Sequence, residues 1–493
     1  RRTAAYDQSA DKSADRCQGQ LHACPEHVGR KGARRVNKPS SHSIMKLKVL
    51  CRDEEACTRS RRNDVLKVQR NLAPELHPFD KQVEYTRALT AAKLDRMHAK
   101  PFIASFMHDD GVNTMARNPK ALNSLLSGSA DGDVRIWDVA GRRCLRKLVG
   151  HTGAVRGLAV TPCGRLAISA STDCTVRMWE VPTAPMLGGV VQEDSTPLTI
   201  YEGKNAFLGV DHHRTRNQFA TSGADVQLWD HNRVEAVSTY TWGPDTITSV
   251  RFNPAETDLF AATSSDRGVV LYDIRSSTPV RKVIMMKKSN AVCWNPMEPL
   301  NFTIANEDSC LYSYDLRNLS MSTCVHKDFV SAVMAVDYSP TGREFVAGSY
   351  DRTVRIFRTN GGHSREVYHT KRMQRVFSTL FSGDATFVYS GSDDMNVRVW
   401  KAEAGDKLGT LLPRERDKKQ YSKALVEKHK HMPEIKSIVR QRHVPKSIYK
   451  AKKARRVMED AETRRHKNRV QHSAPGAVEV KPARKKKIIR EME

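Results

Sequence analysis

SGSADGDVRIWDV at 127–139, SASTDCTVRMWEV at 169–181, AGSYDRTVRIFR at 347–358 and SGSDDMNVRVWK at 390–401 are variants of one pattern. In each, a run of small residues leads to an Asp and then to a β-rich stretch closed by an aromatic. The closing aromatic recurs at Trp137, Trp179, Trp229, Tyr272, Tyr314, Phe357 and Trp400, at intervals of 42, 50, 43, 42, 43 and 43 residues. An Asp stands six residues before all but one of them, at Asp131, Asp173, Asp266, Asp308, Asp351 and Asp394, and the third copy lacks it. In the second copy Val176 and Met178 alternate with Thr175 and Arg177, the period of two that a strand packed on one face requires.

A period in the low forties with this signature assigns one four-stranded blade of a WD-repeat propeller to each copy. Each blade must bury its faces against both neighbours, so the copies predict one closed ring. The expected fold is an all-β, seven-bladed WD-repeat propeller over 101–412, with an N-terminal extended and helical segment and a basic α-helical C-terminal extension over 413–493. Both KPFIASFM at 100–107 and DKLGTLL at 406–412 have the pattern of an outermost strand, so either can complete the last blade. Within 45–100, the stretch at 70–102 predicts an extended, proline-containing segment and then a helix over about 81–98, packed on the ring. Residues 1–44 show no periodicity and precede Met45, a candidate start; they read as a disordered or non-native leader.

The second copy also opens with Gly150-His151. His151, Ser169, Asp173 and Trp179 are expected to form a structural hydrogen-bond network in that blade, since buried polar groups need partners. Only this copy holds the whole set, and no chemistry is assigned to it.

Charge is distributed unlike the core. Lys plus Arg against Asp plus Glu is 22 against 12 over residues 1–100, 32 against 31 over 101–400, and 28 against 12 over 401–493. A body of +1 therefore lies between arms of +10 and +16, and concentrated cationic arms seek polyanions.

Several function classes are excluded or disfavoured. No apolar run approaches the ~20 residues of a membrane span and no signal-peptide apolar region is found, which points to a soluble intracellular protein with no membrane partner. Ten cysteines without a C-x-x-C pair indicate neither a disulfide framework nor a zinc ribbon. Cys17, His22, Cys24 and His27 are zinc-type ligands at spacings that match no structural site, so no metal is expected. No phosphate-cradling Gly-rich loop and no G-x-S-x-G turn occur. Asp211, His212 and His213 are consecutive in a predicted strand, whose alternation throws the two imidazoles to opposite faces. The chain is expected to be no enzyme and to need no cofactor.

The C-terminal arm predicts two basic helices, over 414–431 and 447–472, separated by Pro433 and by HVPKSIY at 443–449. In the second, basic residues surround much of the circumference, so it is expected to be held by a partner and not by a core. The run Arg484, Lys485, Lys486 and Lys487 adds a compact patch suited to nucleic acid or nuclear import. With few aromatics in the arm, Tyr421 and Tyr449 among them, base-specific reading is not indicated.

RNLAPELHPFDKQVEYTRALTAAKL at 70–94, GVDHH at 209–213, CWNPMEP at 293–299, REVYHTKRMQRV at 365–376 and the tail RQRHVPKSIYKAKKARRVMEDAETRRHKNRVQHSAPGAV together resemble the WD repeat and SOF domain-containing protein family. The resemblance implies a nuclear, nucleolar component of the small-subunit processome. Such a component scaffolds pre-rRNA with box C/D small nucleolar ribonucleoprotein and other processome proteins, towards small-subunit rRNA processing. On the SOF-type tail the expected polyanion contacts are Lys446, Lys450, Lys452, Lys453, Arg455, Arg456, Arg464, Arg465, Lys467 and Arg469, together with Arg484 to Lys487.

A second reading belongs to another class. Tyr272-Asp273-Ile274-Arg275 and Tyr314-Asp315-Leu316-Arg317 close successive blades with an aromatic-Asp-x-Arg box. The box is similar to the one by which propeller receptors dock on the adaptor of cullin-four ubiquitin ligases. The resemblance thus offers a substrate-receptor role through Asp273, Arg275, Asp315 and Arg317.

Overall fold

A computed structural model describes residues 74–492 apart from 183–191, 195, 242, 244 and 277. The leader 1–44, its Cys/His cluster and residues 45–73 of the N-terminal extension lie outside the described residues.

The alternating stretches form seven sheets, each with at least four antiparallel strands, and together they make a seven-bladed propeller. The closing aromatics point inward: Trp137, Trp179, Trp229, Tyr272, Tyr314, Phe357 and Trp400 are all at most 5% exposed. In four blades the aromatic lies directly across from a Phe of the preceding strand and stacks on it, as in Phe260–Tyr272, with ring centroids 4.9 Å apart and planes 10° from parallel. The small-residue run has a packing reason. A Cβ on Gly128 would lie 2.7 Å from a methyl of Val155, and one on Gly348 would lie 2.6 Å from Val376, so each glycine leaves room for the innermost strand of the next blade. The residue after the Asp has positive φ in all six Asp-bearing copies, at Gly132, Cys174, Arg267, Ser309, Arg352 and Met395, and in four of them the Asp carboxylate receives the amide that follows and holds the tight turn.

The last blade is completed by the N-terminal candidate. Phe102–Met107 pairs antiparallel with Asn396–Lys401, Ala104 opposite Val399 and Phe106 opposite Val397, which closes the ring between the two ends of the repeat array. In this strand Ala104 and Phe106 are buried, whereas 406–412 contains Gly409 at φ +96° and the exposed Leu408 and Leu412, and it leads irregularly into a helix. The long interval between the second and third copies contains Gln192–Asp194, a strand lying parallel to Arg143–Leu148 on the outer edge of the first blade.

Four α-helices are described: α1 (Asp80–Met97), α2 (Pro413–Lys428), α3 (Pro433–Arg440) and α4 (Lys446–His472). The tail therefore has three helices where the sequence suggests two. Pro433 does not separate two helices but occupies the first turn of one, where its missing N–H is no loss. Ala88 and Ala92 of α1, Leu425 of α2 and Ile435 of α3 form a small core of their own. Lys428 pairs with Glu84 at 2.7 Å and the Tyr85 hydroxyl donates to Glu434 at 2.9 Å. Arg96 of α1 reaches Glu366 of the sixth blade at 3.1 Å and the Val439 carbonyl of α3 at 3.2 Å, so this cluster is fixed to the propeller. None of the described helices is long and apolar enough to cross a membrane.

Candidate functional site

His151, Ser169, Asp173 and Trp179 converge in the second blade. The His151 imidazole is 2.9 Å from Asp173 Oδ2 through Nδ1 and 2.7 Å from Ser169 Oγ through Nε2, while Trp179 Nε1 donates to the same Oγ at 2.9 Å. Burial lowers the affinity of His151 for a proton. A related but shorter network occurs in the first blade, where His108 Nε2 and Trp137 Nε1 both meet Ser127 Oγ at 2.6 Å. These groups sit inside blades and present nothing to a ligand. His212 and His213 diverge: His212 Nε2 is 3.0 Å from His231 Nε2, whereas His213 Nδ1 accepts the amides of Thr215 and Arg216. Among the described residues no group of three His, Cys, Asp or Glu side chains could hold a metal ion.

The basic tail is built differently from the expectation that α4 joins no core. Its first turns dock on the propeller, with Ile448 buried and two cations on the same side engaged. Lys452 Nζ lies 2.5 Å from Asp328 Oδ1, and Arg455, three residues on, donates to the Asp308 carbonyl at 3.0 Å and to the Ser309 hydroxyl. Asp328 is nearly buried just beyond the outermost strand of the fifth blade, and Asp308 and Ser309 form that blade's tight turn. Burial alone would raise the Asp328 carboxyl, but Lys452 and the Ser364 amide and hydroxyl hold it below the usual carboxylate range. No sequence signal assigned Asp328 to the tail. The one available hint is that the fifth blade's KDF carries an acid where the second copy has Gly150.

Beyond the dock the helix is free of the body. It is about 40 Å long, and from Glu462 to His472 every residue is exposed. Among the described residues no hydrogen bond or ion pair engages the side chains of Lys446, Lys450, Lys453, Arg465, Lys467 or Arg469; Arg456 is 3.9 Å from Asp460, and Arg464 Nε meets the Asp460 carbonyl at 3.4 Å. Of the ten tail cations, then, Lys452 and Arg455 fix the helix and the other eight face solvent.

The final basic run is pinned by its backbone. Ile488–Met492 pairs antiparallel with Arg281–Met285 and becomes a fifth strand of the fourth blade, Val283 opposite Glu491 and Ile284 opposite Arg490. The Arg484 carbonyl accepts from Ser322 Oγ at 2.9 Å, and the Lys487 carbonyl from the Met286 amide at 3.0 Å. Arg484, Lys485 and Lys486 consequently project to solvent from a strap crossing the outer edges of two blades. Five residues after a turn-rich stretch carried too little alternation to mark this strand beforehand.

The two aromatic-Asp-x-Arg boxes lie at successive strand ends with both guanidinium groups outward, 72% and 73% exposed. Arg275 pairs with Asp258 and not with Asp273, whose carboxylate receives the Arg275 amide at 3.0 Å, while Arg317 pairs with its own Asp315 at 2.8 Å.

Known proteins share both halves of this design. Residues 402–488 match the Sof1-like domain, and 101–138, 142–180, 320–358 and 361–401 match the WD domain, G-beta repeat. Protein SOF1 of Saccharomyces cerevisiae is 44% identical over 86% of this chain and 91% of its own length. The chain belongs to the Sof1 family of WD-repeat proteins. Further Sof1 relatives bear the name DDB1- and CUL4-associated factor 13. That of Xenopus laevis is 48% identical and that of Homo sapiens 46%, each over 90% of this chain and 99% of its own length. The Sof1-like match begins at the end of the last blade, spans α2, α3 and α4 and ends at Ile488, the first residue of the strap's strand, so the family's second module is the ring-anchored arm.

Proposed function

We propose that this protein is a non-catalytic ribosome-biogenesis factor of the small-subunit processome, acting in the nucleolus. The propeller positions other processome proteins on its rims, and the arm binds pre-rRNA and box C/D small nucleolar RNA particles. No bond is made or broken; the contribution is placement. The observation that carries the reading is the division of labour in α4, where two cations lock the helix to the fifth blade and eight are left to solvent. A cationic helix held rigidly but not neutralised can collect several phosphates and release their counterions. Membership of the Sof1 family supports the same reading.

The test is crosslinking of the protein to RNA in cells followed by sequencing, for the native chain and for R464E/R465E/K467E/R469E. Truncation at 414 is the poorer variant, because it strips α1 of Leu425 and Ile435. The native chain should enrich pre-rRNA and small nucleolar RNA and the variant should lose that enrichment. Equal enrichment in both would overturn the arm as anchor.

A second reading, as substrate receptor of a cullin-four ligase, is favoured by the outward Arg275 and Arg317 and by the name of the vertebrate relatives. In it the ligase adaptor docks on Asp273, Arg275, Asp315 and Arg317. Reversing both arginines should abolish adaptor binding while leaving particle association intact; unchanged adaptor binding would sink it.

A further inference from the structure

The near-neutral propeller pairs many of its charges, as in Arg365–Glu344 and Arg398–Asp394. One corner instead gathers several cations without such partners. The connection from the sixth to the seventh blade carries exposed Lys371, Arg372 and Arg375, and the turn facing it carries exposed Arg352. No side-chain hydrogen bond or ion pair engages any of the four among the described residues. An aromatic pair sits among them. The Arg375 guanidinium lies over the Tyr350 ring, 5.4 Å from its centroid, and Tyr350 meets Phe377 edge to face at 6.0 Å. Tyr350 occupies the position directly before the turn Asp, where the other Asp-bearing copies place Ala130, Thr172, Ser265, Glu307 and Asp393. Only this blade presents an aromatic there.

The platform is rigid. The Tyr350 amide donates to Ala332 at 3.0 Å, the Asp393 amide donates to the Arg375 carbonyl at 2.9 Å, and Met373 and Val376 are buried on either side of Arg375. It is also bounded, for the next rim holds Asp109, Asp110, Asp131 and Asp133, close enough that Asp131 is raised by burial and by its acidic neighbours.

We propose that Tyr350, Phe377 and Arg375, with Arg352, Lys371 and Arg372, form a second RNA site that takes an unpaired base and its flanking phosphates. The class of ligand rests on the reading of the chain as an RNA-contacting factor, but the residues are separate from the arm. An unpaired base supplies a planar face for the ring and guanidinium, and its phosphates suit the flanking cations. A duplex keeps its bases stacked on one another and uses the cations alone. An acidic peptide likewise leaves the aromatics idle. The acidic rim limits the track to a short stretch of strand.

The test uses the full chain, a 12-nucleotide oligouridylate and a 12-base-pair RNA duplex. Tyr350→Ala should weaken oligouridylate about tenfold and leave the duplex unchanged, while Tyr350→Phe restores binding. Ultraviolet crosslinking to oligouridylate should label the peptide containing Tyr350, and should still do so in R464E/R465E/K467E/R469E. Loss of duplex binding in that quadruple variant reports on the arm separately, so the two sites can fail independently. Unchanged oligouridylate affinity in Tyr350→Ala, labelling confined to the arm, or displacement by polyglutamate peptide at the concentration at which oligouridylate itself competes would overturn the proposal, the last in favour of an acidic protein partner.

Discussion

Lys452 and Asp328 are 124 residues apart in the chain and 2.5 Å apart in space, and their contact turns the basic arm from an appendage into a part of the propeller. Asp328 is nearly buried, whereas Lys452 retains half of its exposure. Removing the lysine therefore leaves a carboxylate poorly solvated. Lys452→Met should destabilise the docked state by about 1–2 kcal/mol, less than a fully buried pair because the ammonium is partly hydrated. Amide exchange in the first turns of α4 should accelerate while the blade strands keep their protection. Unchanged exchange over 446–455 would show that Ile448 and Arg455 suffice.

Salt dependence measures how many of the free cations work. For duplex RNA the native chain should show a steep fall of log K with log salt. R464E/R465E/K467E/R469E should flatten that slope by about 3, since each lost phosphate contact removes somewhat less than one unit. Lys452→Met should weaken binding by loosening the helix while changing the slope far less. Identical slopes for the native and quadruple-variant proteins would mean the arm touches no phosphate.

The propeller was legible because its signals are local and repeated: a closing aromatic and an alternating stretch recur seven times, and an Asp turn marks six of the seven copies. Helix α1 was legible from composition within a turn of its true ends. The arm was legible only as charge. Lys452 and Arg455 look the same in sequence as Lys453 and Arg456, and what separates them is a helical phase set by Asp328 and Asp308 in a distant repeat. Pro433 misled for a related reason, since proline ends one helix and begins another with equal ease. The strap at Ile488–Met492 needs an open edge on the fourth blade, and a sequence does not display which edges are open. Tyr350 sat in full view within a repeat string but gains meaning only beside Arg375.

The strap predicts a vulnerability. Ile488 packs its half-buried side chain against the core cluster that contains Val283 and Met285, and its strand covers the outer edge of the fourth blade. Ile488→Asp should detach the strap, with a loss of roughly 1 kcal/mol for a half-buried aliphatic side chain. The uncovered Arg281–Met285 edge should then exchange its amides faster and promote self-association, because an unpaired strand edge templates further pairing. Light scattering at rising concentration checks this; a monodisperse variant with protected 281–285 amides would show that the edge needs no cover.

Acid should unfold the propeller through its interior imidazoles. His326 is fully buried in the fifth blade, with Nε2 2.9 Å from Ser313 Oγ and Nδ1 2.6 Å from the Gly361 carbonyl, and burial pushes its pKa down to about 4. His212 is likewise pushed down to about 4, and His108 to about 3, burial being the leading cause in both. A depressed folded-state value means that the unfolded chain binds the proton first. Stability is therefore whole above the unfolded value near 6.5 and is lost as pH falls from there towards 4, by about 1.4 kcal/mol per pH unit for each histidine. Thermal melts should show Tm roughly constant from pH 8 to 7 and falling steeply below pH 6. His326→Asn, which cannot take up the proton, should start with a lower Tm at pH 7.5 yet lose less on acidification to pH 5. Equal losses in variant and native protein over that interval would remove His326 from the account.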